Sequence, residues 1–306
     1  MFVMRHSSEL TKQNYNQPED KTPDKGMDSL SVANSRFCFD VFKELSCDHM
    51  VENVLLSPLS LLSALAVVLF GARGNSASQM EKCEDRAVHS LIQALLYEIS
   101  KPSHSQVRMA SGLFAEKAHP FLLSRSKSVQ MMRLQGHLKL GSITEPSGQV
   151  LELPDVEDHL SMVIILPSKD VGLGQVTKEI THEKLNNWIS SGNMKDTAVV
   201  LHLPQLRLEG YHEDLAAILT ALGMVDVFDR SRANLSGIIA GGGLGVSKII
   251  HKAMLEVNES GSEFTLTNQT IKVENPEIIK VDHPFLFFIL HKETKMILFY
   301  GRVSNP

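Results

Sequence analysis

Glycine-rich and histidine-containing segments are the parts of this sequence best suited to do chemistry. Four of the five residues from Gly241 to Gly245 are glycine, and backbone amides in such a loop can bind a phosphate group. The segment lacks the lysine and hydroxyl residue that complete a nucleotide-binding loop, and it leads into the strand-like residues 246–250 instead of a helix. We therefore predict a flexible loop without a nucleotide.

Two pairs, His182-Glu183 and His212-Glu213, could supply a metal ligand and a general base. Neither has a second histidine four residues after the first, so the zinc protease pattern is absent. The G-x-S-x-G turn of a serine hydrolase is also absent from the sequence. The sequence predicts no enzymatic activity, no metal and no cofactor.

The cysteines and the first residues bear on the cellular compartment. Cys38, Cys47 and Cys83 have no metal-binding spacing and cannot all pair within one chain, which indicates buried free thiols in a reducing compartment. Residues 1–26 are polar, with no apolar central run and no small-residue cleavage site. We expect a disordered extension there and a cytoplasmic location, with export that needs no signal as the alternative.

Charge and apolar patterning argue against two classes of partner. The formal net charge is -5 and the pI is about 6.2, so the basic character that nucleic acids or anionic membranes require is missing. The longest apolar stretch, 54–70, contains Pro58, and the part after this proline is too short to cross a bilayer. We predict no nucleic acid partner and no membrane partner.

Helical signals are clearest near the start of the chain. Apolar residues recur at helical spacing from Val32 to Leu45. A second helix is predicted after Ser57-Pro58, because serine caps free amides and proline fits the first turn, and Gly71 is its expected end. From Cys83 to 148 the pattern is weaker, with one short helix at about 88–99.

Strand signals dominate the second half of the chain. The helix predicted there runs from Leu215 to Leu222, between Asp214 and Gly223. Helices and strands alternate without a regular βαβ rhythm, so the fold class is α+β. The predicted strands are 149–153, 160–166, 199–209 with an interruption at Pro204, and a buried hairpin of 284–290 and 296–303.

Several short motifs recur in an informative order along the chain. They are 27–30 (MDSL), 53–60 (NVLLSPLS), 69–77 (LFGARGNSA), 150–154 (VLELP), 160–167 (LSMVIILP), 203–208 (LPQLRL), 282–289 (DHPFLFFI) and 297–303 (ILFYGRV), with Pro306 at the end. In this order they resemble the signatures of the serpin superfamily, and the start resembles its ovalbumin-like intracellular branch (clade B). The resemblance covers 27 to about 115 and 150–306, which implies a single serpin domain after the extension.

The resemblance implies a mechanism and a partner. An exposed reactive loop offers a bait bond to a serine protease of the chymotrypsin class. After acylation the loop inserts as a new strand of a large sheet and distorts the enzyme. The loop is expected at about 259–281, and its hinge must slide between strands before the acyl bond is hydrolysed. The hinge residues implied by the resemblance are Glu259, Gly261, Ser262, Glu263 and Phe264.

Phe264 is the first departure from the inhibitory pattern, because inhibitors have a run of alanines where this chain has Phe-Thr-Leu-Thr-Asn. Phe264 and Leu266 share one face of an inserted strand with Asn268. Burying an unpaired amide costs about 1–3 kcal/mol, so slow insertion is expected. Phe, Thr and Leu nevertheless favour strands and could stabilise the inserted state.

The position of the bait bond stays open between two sites. Gly261 and Asp282 are 21 residues apart, which is shorter than the inhibitory loops that this loop resembles. Counting from the hinge indicates Asn275-Pro276, a bond that is hard to cut because proline fixes the backbone. Counting back from Asp282 indicates Ile271-Lys272, and Lys272 as the bait residue would suit a trypsin-like enzyme.

A second departure lies in the middle of the chain. Near 116–148 the sequence passes almost directly from an early family segment to a late one, which implies that part of the central sheet and its covering helix are missing. A sheet without that part has an unpaired edge that invites foreign pairing, or pairing by the loop itself without cleavage. The alternative to inhibition is therefore a non-inhibitory role in storage or binding, or a vestigial role.

Overall fold

The computed structural model describes residues 24–48, 52–83, 131–154, 159–240, 243–257 and 276–306. Within these ranges the chain forms an α+β fold, as predicted. The helices are α1 (Asp24–Asp48), α2 (Pro58–Gly71), α3 (Gly74–Cys83), α4 (Leu173–Glu179), α5 (His182–Trp188) and α6 (Ala216–Ala221). None of these helices is long and apolar enough to cross a membrane.

The predicted helices are confirmed wherever the structure describes them. In α2, Ser57 Oγ accepts a hydrogen bond from Ser60 N at 3.3 Å, and Pro58 opens the first turn. α6 lies between Asp214, whose Oδ1 accepts from Ala216 N at 2.9 Å, and Gly223 with φ 105°. The helix predicted at 88–99 lies outside the described residues.

Helix α1 is longer than predicted. It contains the predicted residues 32–45 but begins at Asp24, inside the segment expected to be disordered.

Strands form one large sheet and one small sheet. The eight-stranded sheet has the order β1-β10-β9-β4-β3-β2-β5-β8, in which only β5 and β8 pair in parallel, and β6 and β7 form a separate antiparallel pair. The strands are β1 (Val54–Leu56), β2 (Met131–Ile143), β3 (Gly148–Pro154), β4 (Leu160–Pro167), β5 (Lys195–Pro204), β6 (Leu206–His212), β7 (His251–Val257), β8 (Glu277–Lys280), β9 (Phe285–His291) and β10 (Ile297–Val303).

The C-terminal hairpin lies in the core, as its apolar runs predicted. All seven residues of β9 are buried, and its alternate residues divide between two clusters. Phe287 packs in the cluster that contains the α2 side chains, and Phe288 packs in the cluster that contains side chains of α4 and α5. Tyr300 of β10 stacks on Phe288 with 4.4 Å between ring centroids, and it contacts the tilted ring of Phe42 of α1 with 3.9 Å between centroids. Both faces of this part of the sheet are covered, which explains the uninterrupted apolar sequence.

The segment 199–209 was predicted as one interrupted strand, and this was wrong. The structure divides it between β5, in the large sheet, and β6, in the small one, with the break directly after Pro204. Proline has no amide hydrogen to donate to a neighbouring strand. The alternation of apolar and polar residues shifts at Pro204, and directly after this residue the chain passes from the large sheet to the small one.

Two other segments differ from their sequence patterns. Residues 246–250 are not a strand, because their backbone groups bond to helical segments: Val246 N donates to Val227 O, in the 3-10 helix Asp226–Phe228, at 2.9 Å, and Ile249 O accepts from Leu215 N, at the start of α6, at 3.1 Å. β2 occupies part of the stretch from 116 to 148 that the sequence left unassigned. Its alternation of apolar and polar residues from Met132 to Leu140 is a strand signal that our sequence reading missed.

Candidate functional site

The candidate site is the pair of strands that flank the predicted reactive loop. β7 ends at Val257 and β8 begins at Glu277, so the loop connects the small sheet to the edge of the large one. Pro276, one of the bait-bond candidates, is the residue directly before β8 and is half-buried. The other predicted site residues lie outside the described residues. They are Glu259, Gly261, Ser262, Glu263, Phe264, Ile271, Lys272 and Asn275.

Strand β7 leads into the hinge and is paired along one edge. It runs antiparallel to β6, from the pair His212↔His251 to the pair Leu206↔Val257. Its side chains alternate: His251, Ala253 and Val257 are buried, whereas Lys252, Met254 and Glu256 are exposed. Within the part of the chain that the structure describes, no strand pairs with its second edge. That edge carries the backbone groups that an additional strand would need.

His251 fixes the start of β7 to the core. Its Nε2 accepts a hydrogen bond from Ser57 N at 2.9 Å, and its ring lies parallel to that of His212 with 6.0 Å between centroids. Ser57 Oγ also donates to Leu298 O at 2.8 Å. One serine therefore joins α2, β7 and β10 through buried hydrogen bonds.

The environment of His251 favours its neutral form. Burial, together with the neighbouring His212, lowers the pKa of His251 to about 4. The hydrogen bond from Ser57 N requires a lone pair on Nε2, so the remaining proton is on Nδ1. Sequence reasoning missed this contact, since no local pattern relates His251 to Ser57.

Strand β8 holds the other end of the loop. It pairs in parallel with β5 from Val199↔Glu277 to His202↔Lys280, and Val281 N donates to His202 O at 2.9 Å. Ile279 and Val281 are buried. The distal end of the loop is therefore anchored by backbone pairing and by apolar burial together.

Polar side chains reinforce the anchor directly after β8. Asp282 Oδ1 lies 3.0 Å from His283 Nδ1 and 3.6 Å from Lys169 Nζ. The hydrogen bond with His283 and the nearby charge of Lys169 lower the pKa of Asp282. His283 Nε2 lies 2.7 Å from Pro167 O. These contacts connect the chain after the loop to the end of β4.

A shallow cavity of about 420 Å³ lies between β8 and the β3–β4 hairpin. Leu166, Pro167 and Ile278 form apolar lining, and Lys169 and Lys280 are among its charged residues. Across the described ranges, no group of three ligating side chains is placed to hold a metal ion. The site therefore consists of two paired strands, β7 and β8, that fix the two ends of the predicted loop, and β7 has a second edge without a partner strand among the described residues.

Comparisons with known proteins give this arrangement a context. The family profile described as Serpin (serine protease inhibitor) matches residues 32–124 and 117–306. Serpin B8 from Bos taurus is 32% identical over 377 positions, covering 92% of this chain and 100% of that protein. Leukocyte elastase inhibitor from Sus scrofa is 32% identical over 380 positions, with the same shares covered. A solved structure of uncleaved ovalbumin matches with a TM-score of 0.77 at 29% identity, covering 90% of this chain and 100% of that one.

The lengths of these matches differ from the length of the chain. The alignments run over 377 and 380 positions, whereas the chain has 306 residues, so the relatives are longer. The two pieces of the family match overlap at 117–124.

Proposed function

This chain belongs to the serpin family, and on that premise we propose that it is of the serine protease inhibitor class and presents the part of the predicted loop 259–281 that precedes β8 as bait to a chymotrypsin-class protease. The observation that carries the proposal is the arrangement at the two ends of the loop: β7 has a second edge without a partner strand among the described residues, and β8 is held in the large sheet. The name of the Sus scrofa relative supports a protease target of the elastase type.

Cleavage releases the constraint on the loop. The protease serine oxygen forms an ester with the carbonyl carbon of the bait residue, the peptide C–N bond breaks, and the new amine on the β8 side takes a proton. Residues 262–268 are then free of β8. After a turn at 258–261 they can fold back antiparallel onto β7 and use the amides and carbonyls of its second edge. The acylated enzyme moves with them.

We place the bait bond at Ile271-Lys272 for an elastase-type enzyme, or directly after Lys272 for a trypsin-like one, rather than at Asn275-Pro276. A protease needs several extended residues on both sides of the bond that it cuts. Pro276 is half-buried and directly precedes β8, so cleavage there would require the paired strand to detach from β5. The earlier bond leaves four residues between Lys272 and the start of β8.

A second candidate is a non-inhibitory role. It is favoured by the two-stranded form of the described small sheet, because an inserted strand would gain a partner on one side only. Phe264 and Leu266 would also insert more slowly than alanines. A chain of this kind is cut as an ordinary substrate, and the enzyme leaves active.

Incubation with trypsin and with elastase, followed by a denaturing gel, tests the two candidates. We expect a band stable to detergent at the summed mass of chain and enzyme, as required for trapping. A control variant, Gly261→Pro, restricts the hinge and should be cleaved without forming that band. Clean cleavage of the unaltered chain, with full enzyme activity left, would contradict inhibition and support the non-inhibitory role.

We propose that residues 27–306 form one serpin domain and that the missing block falls near 116–148, which the junction of the family match at 117–124 supports. We propose a cytoplasmic location, which the free, buried thiol of Cys38 supports, with export lacking a signal as the alternative.

A further inference from the structure

A row of basic side chains crosses three strands beside the loop. Arg133 of β2 is the register partner of His202 of β5, and His202 is the partner of Lys280 of β8. Register partners on adjacent strands point to the same face of a sheet. Arg133 and Lys280 are exposed and His202 is half-buried. Arg133 and Lys280 are therefore two cationic side chains on one face of the sheet, two strands apart, with His202 between them.

Exposed apolar side chains border this row on the same face. Met131 precedes Arg133 by two positions and is 43% exposed, and Ile278 precedes Lys280 by two positions and is 65% exposed. Ile278 and Lys280 also line the cavity beside β8. We call the surface of Met131, Arg133, His202, Ile278 and Lys280 the β8 face. Exposed apolar residues mixed with arginine are typical of protein interfaces rather than of ordinary surface.

The basic side chains of the β8 face have no acidic partner within the described residues. Arg133 Nη2 bonds only to the amide oxygen of Gln135, at 3.2 Å, and Lys280 forms no ion pair there. Asp282 follows Lys280 by two residues, but its carboxylate pairs with Lys169 and His283 instead. The β8 face is therefore locally positive on a chain whose formal net charge is -5.

We propose that the β8 face is a docking surface for an acidic patch on the protease that attacks the loop. The proposal rests on the proposed function, because the loop brings the protease to this place. Lys280 is eight residues after Lys272, so at most about 28 Å of chain separates them. Even a small protein domain is about 30 Å across, and a protease bound at the bait bond reaches the β8 face. Complementary charge there speeds association and selects among enzymes of the same cleavage specificity.

The test compares anionic and cationic trypsin, which share cleavage specificity and differ in surface charge. The second-order rate of attack on the loop is measured at low and high salt, and cleaved and trapped chains are both counted. For anionic trypsin at low salt we expect the double variant Arg133→Gln/Lys280→Gln to react about tenfold more slowly than the unaltered chain, with a weaker salt dependence. Cationic trypsin should show no such decrease. The matched control Lys178→Gln/Arg230→Gln removes the same charge from exposed positions elsewhere and should leave both rates unchanged.

Failure of inhibition and failure of docking are distinguishable in this design. If the enzyme leaves active after cutting the loop, trapping fails, but the rate ratio still measures docking. If neither trypsin attacks the loop, binding of fluorescent poly-L-glutamate decides: the unaltered chain should bind it several-fold more tightly than Arg133→Gln/Lys280→Gln does at low salt. Equal rates and equal poly-glutamate binding for the two proteins overturn the proposal, and so does an equal loss in the Lys178→Gln/Arg230→Gln control.

Discussion

The neutral state of His251 makes the stability of the fold depend on pH. In the folded chain its pKa is about 4, mainly because the ring is buried, whereas an unfolded chain has a histidine pKa of about 6.5. Below pH 6.5 the unfolded state binds a proton that the folded state does not accept until about pH 4. The free energy of unfolding therefore falls as pH decreases through this window. Ser57 N and His212 are the groups in contact with the ring.

We expect His251 to account for a loss of about 2–3 kcal/mol in the free energy of unfolding between pH 7.5 and pH 4.5. Urea unfolding at both pH values measures this loss, and the variant His251→Gln separates it from the titration of other groups. Between the two pH values, the free energy of unfolding of the variant should fall by about 2–3 kcal/mol less than that of the unaltered chain. Equal losses in the two proteins would show that His251 does not titrate as its burial requires.

At the scale of elements, the approach of β6 to β1 depends on one glycine. A Cβ atom on residue 210 would overlap Leu55 O and lie 2.9 Å from Leu55 C, and both are backbone atoms that cannot rotate away. The small sheet can therefore pack this closely on β1 only because residue 210 has no side chain.

We expect Gly210→Ala to lower the free energy of unfolding by at least about 2 kcal/mol, since β6 must move away from β1. The matched control is Gly192→Ala, because a Cβ there would meet nothing closer than Ser190 Oγ at 4.0 Å. The control should be neutral or slightly stabilising. Chemical unfolding of both variants is the measurement, and equal stability of the two would contradict the close contact.

At the scale of the whole molecule, the two candidate functions differ in what happens after cleavage. If residues 262–268 pair with β7 after cleavage, the cleaved chain gains a strand beyond those that the structure describes for the intact chain. If the chain is only a substrate, cleavage leaves the fold unchanged or loosens it. The melting temperature of the intact and cleaved protein separates these outcomes without reference to any particular target enzyme.

We expect cleavage within the loop to raise the melting temperature by at least about 5 °C. The newly paired strand should contribute roughly 3 kcal/mol to the free energy of unfolding, and each kcal/mol raises the melting temperature by about 2 °C. In the variant Phe264→Ala/Leu266→Ala the rise should follow cleavage faster, because slimmer side chains insert more easily. Gly261→Pro should show a smaller rise than the unaltered chain. An unchanged melting temperature after complete cleavage would support the non-inhibitory role.

The sequence predicted well those features that a few neighbouring residues determine. The start of α2 at Ser57-Pro58, the ends of α6 at Asp214 and Gly223, and the buried C-terminal hairpin were all predicted and confirmed. Each is encoded by a cap, a proline or an apolar run, and these act over one or two turns or one strand. The ordered motifs were also sufficient to identify the family, because family membership depends on local sequence and not on sheet pairing.

Only the tertiary structure decided which distant segments meet. Nothing local to Pro204 shows that β5 and β6 belong to different sheets, nor that His251 bonds to Ser57. Arg133 and Lys280 are far apart in the sequence, and only the order β2-β5-β8 places them in one row. Strand order and register are set by the burial of many side chains together, so no short stretch of sequence contains that information.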